Sequence, residues 1–155
     1  MNSSFVESLL PLRALSYYAK MTADKKIAQT VKNAAELFLK RKLYKRLTDD
    51  SIIKERFVKL HYPCYYEYDI LFGLKVMAEA GFIDDSRCDD ALYLLESKQL
   101  PDGGFPAEEK LYRAIRSVRP SRCSLVDWGG ARRKHSNEFV TVDALFVLKQ
   151  AGRID

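Results

Sequence analysis

Apolar side chains recur along this chain at steps of three and four, the spacing of a helix face, and the pattern falls into five segments. The first, Ser4–Lys20, carries Phe5, Val6, Leu9, Leu10, Leu12, Ala14, Leu15, Tyr17 and Tyr18. These are apolar nearly all round, which predicts burial on most sides. Pro11 inside it predicts a kink or a late helix start. The second segment, Ala23–Leu43, places Ile27, Val31, Ala35 and Phe38 on one stripe and lysines on the other, with Asp24 as N-cap. The third, Tyr66–Ala80, is again apolar nearly all round, and Gly81 suits the position just past its end. The fourth, Asp85–Gln99, is amphipathic through Cys88, Ala91, Leu92 and Leu95. The fifth, Asn137–Ala151, is apolar all round and ends at Gly152.

Buried and surface helices therefore alternate. A two-layer array of helical hairpins produces that order, with one layer inside and the other forming an outer ring. An internal repeat supports it. Asp69-Ile-Leu-Phe-Gly-Leu-Lys75 and Asp143-Ala-Leu-Phe-Val-Leu-Lys149 both read D-x-L-F-x-L-K. Each is followed by A-G-x-I-D, at Ala80–Asp84 and Ala151–Asp155. The second copy is shorter by three residues. The repeats are separated by a Pro- and Gly-rich linker from Leu100 to Ser136, within which a short hairpin is expected over Tyr112–Val126. Irregular linkers of this length are often functional.

Length and composition add limits. One domain accounts for 155 residues, and 47% hydrophobic with 30% charged residues excludes a disordered or low-complexity chain. No apolar run is long enough for a membrane span, and the N-terminus lacks the basic region and cleavage site of a signal peptide. Cys64, Cys88 and Cys123 are odd in number and form no C-x-x-C, so a reduced, cytoplasmic protein is expected. The net charge is +5. It gathers in two clusters, Lys40, Arg41, Lys42, Lys45, Arg46 and Lys110, Arg113, Arg116, Arg119, Arg122, Arg132, Arg133, Lys134. Each is either solvated surface or an anion-binding face.

The turn after the fourth segment reads Gln99-Leu-Pro-Asp102-Gly103-Gly-Phe105. It resembles the glutamine/tryptophan repeat of the terpenoid cyclase and protein prenyltransferase superfamily, with Phe in place of the usual Trp. In that reading Gln99 bonds the ends of neighbouring helices, Asp102-Gly103 makes the tight turn, and Phe105 plugs the gap between hairpins. Leu60-His-Tyr-Pro-Cys-Tyr-Tyr-Glu-Tyr-Asp69, Trp128-Gly-Gly and Asn137-Glu-Phe-Val-Thr141 are similar to uncharacterised prenyltransferase-like α/α toroid proteins. The resemblance implies an all-α, α/α toroid-like array over residues 1–155. It would be a partial toroid of about two and a half hairpins, either standing alone or forming the C-terminal part of a larger one. An open arc would expose inner-helix faces, which implies self-association.

Catalytic groups of the superfamily are not matched. The D-x-D-D acid motif of squalene cyclases is absent. The acidic run Asp84, Asp85, Asp89, Asp90 is explained by capping at an outer helix. The prenyltransferase zinc site needs Asp, Cys and His. No D-x-C pair with a matching downstream His occurs, so no metal and no cofactor are assigned. Two clusters open the inner helices: His61, Tyr62, Tyr65, Tyr66, Asp69, and Trp128, Arg132, Arg133, His135, Asn137, Glu138. Side by side they would line an aromatic pocket for an isoprenoid-like or other apolar ligand, with Arg132 and Arg133 holding an anionic group. Alternatively the aromatics fill space and Asn137 is an N-cap. His61 and Asp69 are the candidate catalytic pair. The expected function is non-catalytic binding of an apolar ligand or protein partner. The alternatives are an isoprenoid-converting enzyme fragment or active oligomer, and anion or nucleic-acid binding through the basic linker.

Overall fold

The computed structural model describes residues 4–115 and 123–155, and the fold is all-α. Among the described residues five α-helices run in order: α1 (Phe5–Thr22), α2 (Lys25–Leu39), α3 (Ile70–Ala80), α4 (Asp89–Glu96) and α5 (Glu138–Gln150). Two two-residue strands, β1 (Arg113–Ala114) and β2 (Cys123–Ser124), pair in parallel. The expected hairpin over Tyr112–Val126 is therefore replaced by a parallel contact, and Arg116, Arg119 and Arg122 lie outside the described residues. Among the described residues no helix is long and apolar enough to cross a membrane.

The hydrophobic core is organised around α3. Eight of its eleven residues are buried, as the all-round apolar pattern predicts. It packs against all four other helices, most extensively α1 and α5. Asp69 caps its start by accepting the Phe72 N–H at 2.8 Å. Gly81, at φ 82°, closes its end while Phe82 N–H reaches back to the Met77 carbonyl. Gly152 ends α5 with the same closure, Arg153 N–H to the Leu148 carbonyl. The A-G-x-I-D repeat is thus a repeated helix stop. The D-x-L-F repeat is not repeated structurally. Asp69 is an N-cap, whereas Asp143 lies within α5 and pairs with Lys75 of α3 at 2.5 Å.

The outer-face expectations need correction for α1 and α5. In α1 only Val6, Leu9, Leu12 and Ser16 are buried, while Leu10, Tyr17, Tyr18 and Met21 are exposed. In α5, Val140, Ala144, Val147 and Leu148 are buried, while Val142, Leu145 and Phe146 are exposed. Both helices have apolar residues all round, yet each meets the core on one face only. Helix α1 begins before Pro11 and runs through it, so the late start does not occur. Helix α2 stops at Leu39, short of Leu43, because Lys42 and Leu43 adopt left-handed conformations and turn the chain back. Asp24 caps α2 as expected, accepting from the Lys26 and Ile27 N–H groups. The fourth segment divides into a 3-10 turn at Ser86–Cys88, capped by Asp85, and α4.

Gly73 in α3 is required by a close approach. The fully buried Tyr68 donates its hydroxyl to the Leu43 carbonyl at 2.8 Å. A Cβ at position 73 would stand 2.2 Å from that hydroxyl oxygen and 2.9 Å from Leu43 Cδ2. Alanine at an ordinary helix position gains about 1 kcal/mol over glycine. Here it overpacks the core and displaces a buried hydrogen bond, each worth about 1–3 kcal/mol. Gly73→Ala is expected to lower stability by about 2 kcal/mol or more, read from the urea midpoint. An unchanged or raised midpoint would show that the Tyr68 packing tolerates a methyl group.

Candidate functional site

The two sequence clusters do meet, but through aromatic packing that fills the space between them. Tyr62 stacks on Phe139 with ring centroids 4.9 Å apart. Trp128 lies edge-on to both, at 5.5 and 5.2 Å. Trp128 Nε1 donates to Tyr65 Oη and Ser124 Oγ, each at 3.1 Å. Tyr66 is 82% exposed and lies apart, against a different cavity.

His61 and Asp69 are interior residues. Asp69 Oδ2 accepts the His61 backbone N–H at 2.9 Å and faces His61 Nδ1 at 3.1 Å. Its other oxygen holds the α3 N-terminus. Asp69 therefore latches the 59–64 loop to the central helix. The two side chains are 1% and 0% exposed, which leaves no route for a substrate to reach the dyad. Burial pushes the His61 ring down, but the Asp69 charge and hydrogen bond, with the Lys59 carbonyl and the Glu67 charge, outweigh it. The ring titrates above its ordinary value of 6.5.

Cys64 adds a sulfur to this group. Donor atoms of His61, Cys64 and Asp69 all lie within 4.8 Å of one another, close enough to share a cation. Such an ion would have to displace the thiol proton, because burial pushes the Cys64 thiol well above its ordinary range. It would also compete with backbone N–H groups for Asp69. The existing hydrogen bonds give the trio a structural role, and the raised thiol argues against a nucleophilic Cys64.

The second cluster forms an open groove of about 700 Å³ at the start of α5. Trp128, Arg132, His135, Asn137 and Glu138 line it, together with the Asp102–Gly104 turn, Gly129, Thr141 and Leu145. Arg133 is exposed and does not. Asn137 is the organising side chain. Its Oδ1 caps α5 by accepting from Phe139 and Val140, its Nδ2 donates to the Trp128 carbonyl, and its backbone N–H donates to the Phe105 carbonyl. Gly129, at φ 90°, passes so near that a Cβ would meet Asn137 Nδ2 at 2.7 Å.

The turn motif forms one wall. Gln99 does not reach neighbouring helix ends, and instead donates to the Gly103 carbonyl of its own turn at 3.0 Å. Asp102 accepts from the Gly104 N–H. Phe105 is fully buried, and its backbone exchanges hydrogen bonds with the Thr141 hydroxyl of α5. The opposite wall is braced by Tyr112, whose hydroxyl donates to Asp127 and receives the Trp128 N–H. Nothing in the sequence marks Ser124 or Tyr112 for these roles. Thr141 belongs to the Asn137–Thr141 resemblance stretch and Leu145 to the fifth helical segment, and neither is marked as a site residue by the sequence, although the Gly-rich flanks indicate tight turns.

Two outcomes are expected of this site. His61 has a folded pKa above its unfolded one, so the stability contributed by charging it is complete below about pH 6.5 and is lost as pH rises through the folded value. Urea unfolding between about pH 6 and about pH 9 should show that decline, and His61→Gln should remove this part of it. An equally steep decline in the variant would assign the effect elsewhere. Burial also pushes the Cys88 thiol up to about 12. Iodoacetamide at neutral pH should therefore label neither Cys64 nor Cys88 until denaturant is added, as read by peptide mass mapping. Rapid native labelling of Cys64 would show that its half-buried thiol ionises more readily than its surroundings imply.

Comparison of the chain with protein-family models, curated proteins and solved structures finds no match.

Proposed function

We propose that this chain is a non-catalytic helical interaction domain of the α/α toroid-like kind, docking a protein partner at the N-terminal end of α5. The observation that carries this reading is the continuity of the groove with an unpartnered apolar face. Leu145 lines the groove, and Val142 and Phe146 extend the same helix face into solvent. Trp128 and Leu145 offer an apolar seat, and Arg132 and His135 suit acidic side chains beside it. A partner segment with an apolar anchor flanked by acids fits this chemistry. The isoprenoid reading has less support, because Tyr62 and Phe139 pack on each other and on Trp128, and of the three only Trp128 lines the groove.

A second reading is favoured by α1. Leu10, Ala14, Tyr17, Tyr18 and Met21 form one exposed stripe on that helix. Its chemistry complements the α5 face. Docking α5 of one copy on α1 of the next is a heterologous contact, which extends the helix row and can close into a ring.

Sedimentation equilibrium over a range of concentrations separates the readings. Partner docking predicts a monomer whose single tryptophan, Trp128, changes fluorescence on titration with acidic amphipathic peptides. Arg132→Glu should weaken that binding about tenfold or more, or about 1.4 kcal/mol. Self-association predicts concentration-dependent mass that Tyr18→Glu and Leu145→Asp each abolish. A monomer with no fluorescence response would overturn both.

A further inference from the structure

The first basic cluster divides into two halves with different fates. Lys42 and Lys45 are neutralised by Asp50 and Asp90 at 2.6–3.2 Å. Arg41 and Arg46 form no ion pair among the described residues. Each instead points a guanidinium nitrogen at a backbone carbonyl: Arg41 to Leu37 at 3.1 Å, and Arg46 to Ile53 at a longer 3.5 Å. A guanidinium has five N–H donors, so most remain unused on both. The two arginines and Lys54, also without a carboxylate partner, line one cavity of about 900 Å³. Lys54 is held 5.8 Å from the centre of the Phe57 ring.

Most of the other lining side chains are apolar or aromatic, with the polar Ser4, Thr48 and Glu67 between them. The half-buried Phe5 lines the cavity and packs on the buried Phe57 and Tyr68 with centroids 4.9–5.0 Å away, which fixes the ring in place. Glu67, the one acid lining the cavity, lies 3.3 Å from Arg56. The cavity thus sets three cations that form no ion pair among the described residues beside an apolar lining. Water alone solvates an exposed arginine well. A concave site that presents two guanidinium forks beside rings instead matches a ligand with one anionic end and one apolar end.

We propose that this cavity binds a small amphiphilic anion. A carboxylate or phosphate monoester would sit between Arg41, Arg46 and Lys54, with its aliphatic or aromatic body against Phe5, Leu47, Ile53 and Tyr66, the apolar lining side chains that keep exposed surface. The site is separate from the α5 groove, shares no lining residue with it, and does not depend on the reading of that groove.

The test is isothermal titration of the full chain with octyl phosphate below its micellar concentration, with inorganic phosphate and octanol as parallel arms. Octyl phosphate should bind about tenfold tighter than either, and Arg41→Gln/Arg46→Gln should weaken it by about tenfold or more. Lys54→Gln alone, on an exposed side chain, should weaken it severalfold without a change in melting temperature. Inorganic phosphate binding as tightly would reduce the site to a surface charge effect and overturn the proposal. Octanol binding as tightly would do so from the apolar side, as would undiminished affinity in the variants. Binding to phosphatidic acid vesicles without binding to monomeric octyl phosphate would assign the cations to a membrane surface and overturn it equally.

Discussion

A carboxyl group with no access to water must have its oxygens bonded from within the protein, and in this fold Asp69 meets that demand in a way that fixes two other elements. One oxygen receives the Phe72 N–H and so starts α3. The other receives the His61 backbone N–H and faces the His61 ring, which pins the 59–64 loop over the helix end. The pinned loop in turn anchors the linker, since Leu60 bonds the backbone of Glu108 through its carbonyl and the Glu108 carboxylate through its N–H. Because α3 packs against every other helix, an error at its start would reach the whole core. Truncating one member of a buried polar pair typically costs about 3–5 kcal/mol, several times the worth of an exposed cap. The latch role of Asp69 therefore needs no catalytic explanation.

Much of this was legible in the sequence. Helix periodicity, Asp24 and Asn137 as caps, and Gly81 and Gly152 as stops all depend on interactions within a few residues of one another, and all appear in the structure. What failed was inference about distant partners. Helices α1 and α5 carry apolar residues all round as α3 does, though fewer, and only α3 is covered on several sides. Composition records what a face prefers and cannot record whether another element arrives to cover it. The same limit separates Asp69 from Asp143. The same D-x-L-F-x-L-K pattern places one at a buried helix start and the other on a helix flank beside Lys75.

The candidate site shows the same division. Proximity of the His61 and Trp128 regions follows from the repeated order of loop and helix, and Tyr62, Tyr65 and Trp128 do touch. Whether touching aromatics enclose a space or fill it depends on ångström-scale placement, and here they fill it. The open groove lies instead on the other side of Trp128, where glycines keep the backbone low. Gly129 has room for no side chain against Asn137, so the turn and the α5 cap form a single hydrogen-bonded unit. That arrangement explains why the Gly-rich linker holds a defined shape between Asp127 and Asn137 without regular secondary structure.

Charge is the last feature that only the fold can sort. As a list, the basic residues of each cluster look equivalent. In space they divide by whether a carboxylate lies within reach. Lys42, Lys45 and Lys110 have one, as do Lys59, Lys75 and Lys98. Among the described residues, Arg41, Arg46, Lys54 and Arg132 at the α5 groove form no ion pair, although the Asp49 carboxylate feels the Arg46 charge. Exposed ion pairs contribute little to stability, so pairing chiefly removes a cation from the field that an approaching ligand feels. The net charge of +5 therefore understates the local potential, because it averages neutralised residues with those that keep their full charge. The residues that keep it include those lining the two concave surfaces, where aromatic walls restrict water and strengthen each interaction with an anion.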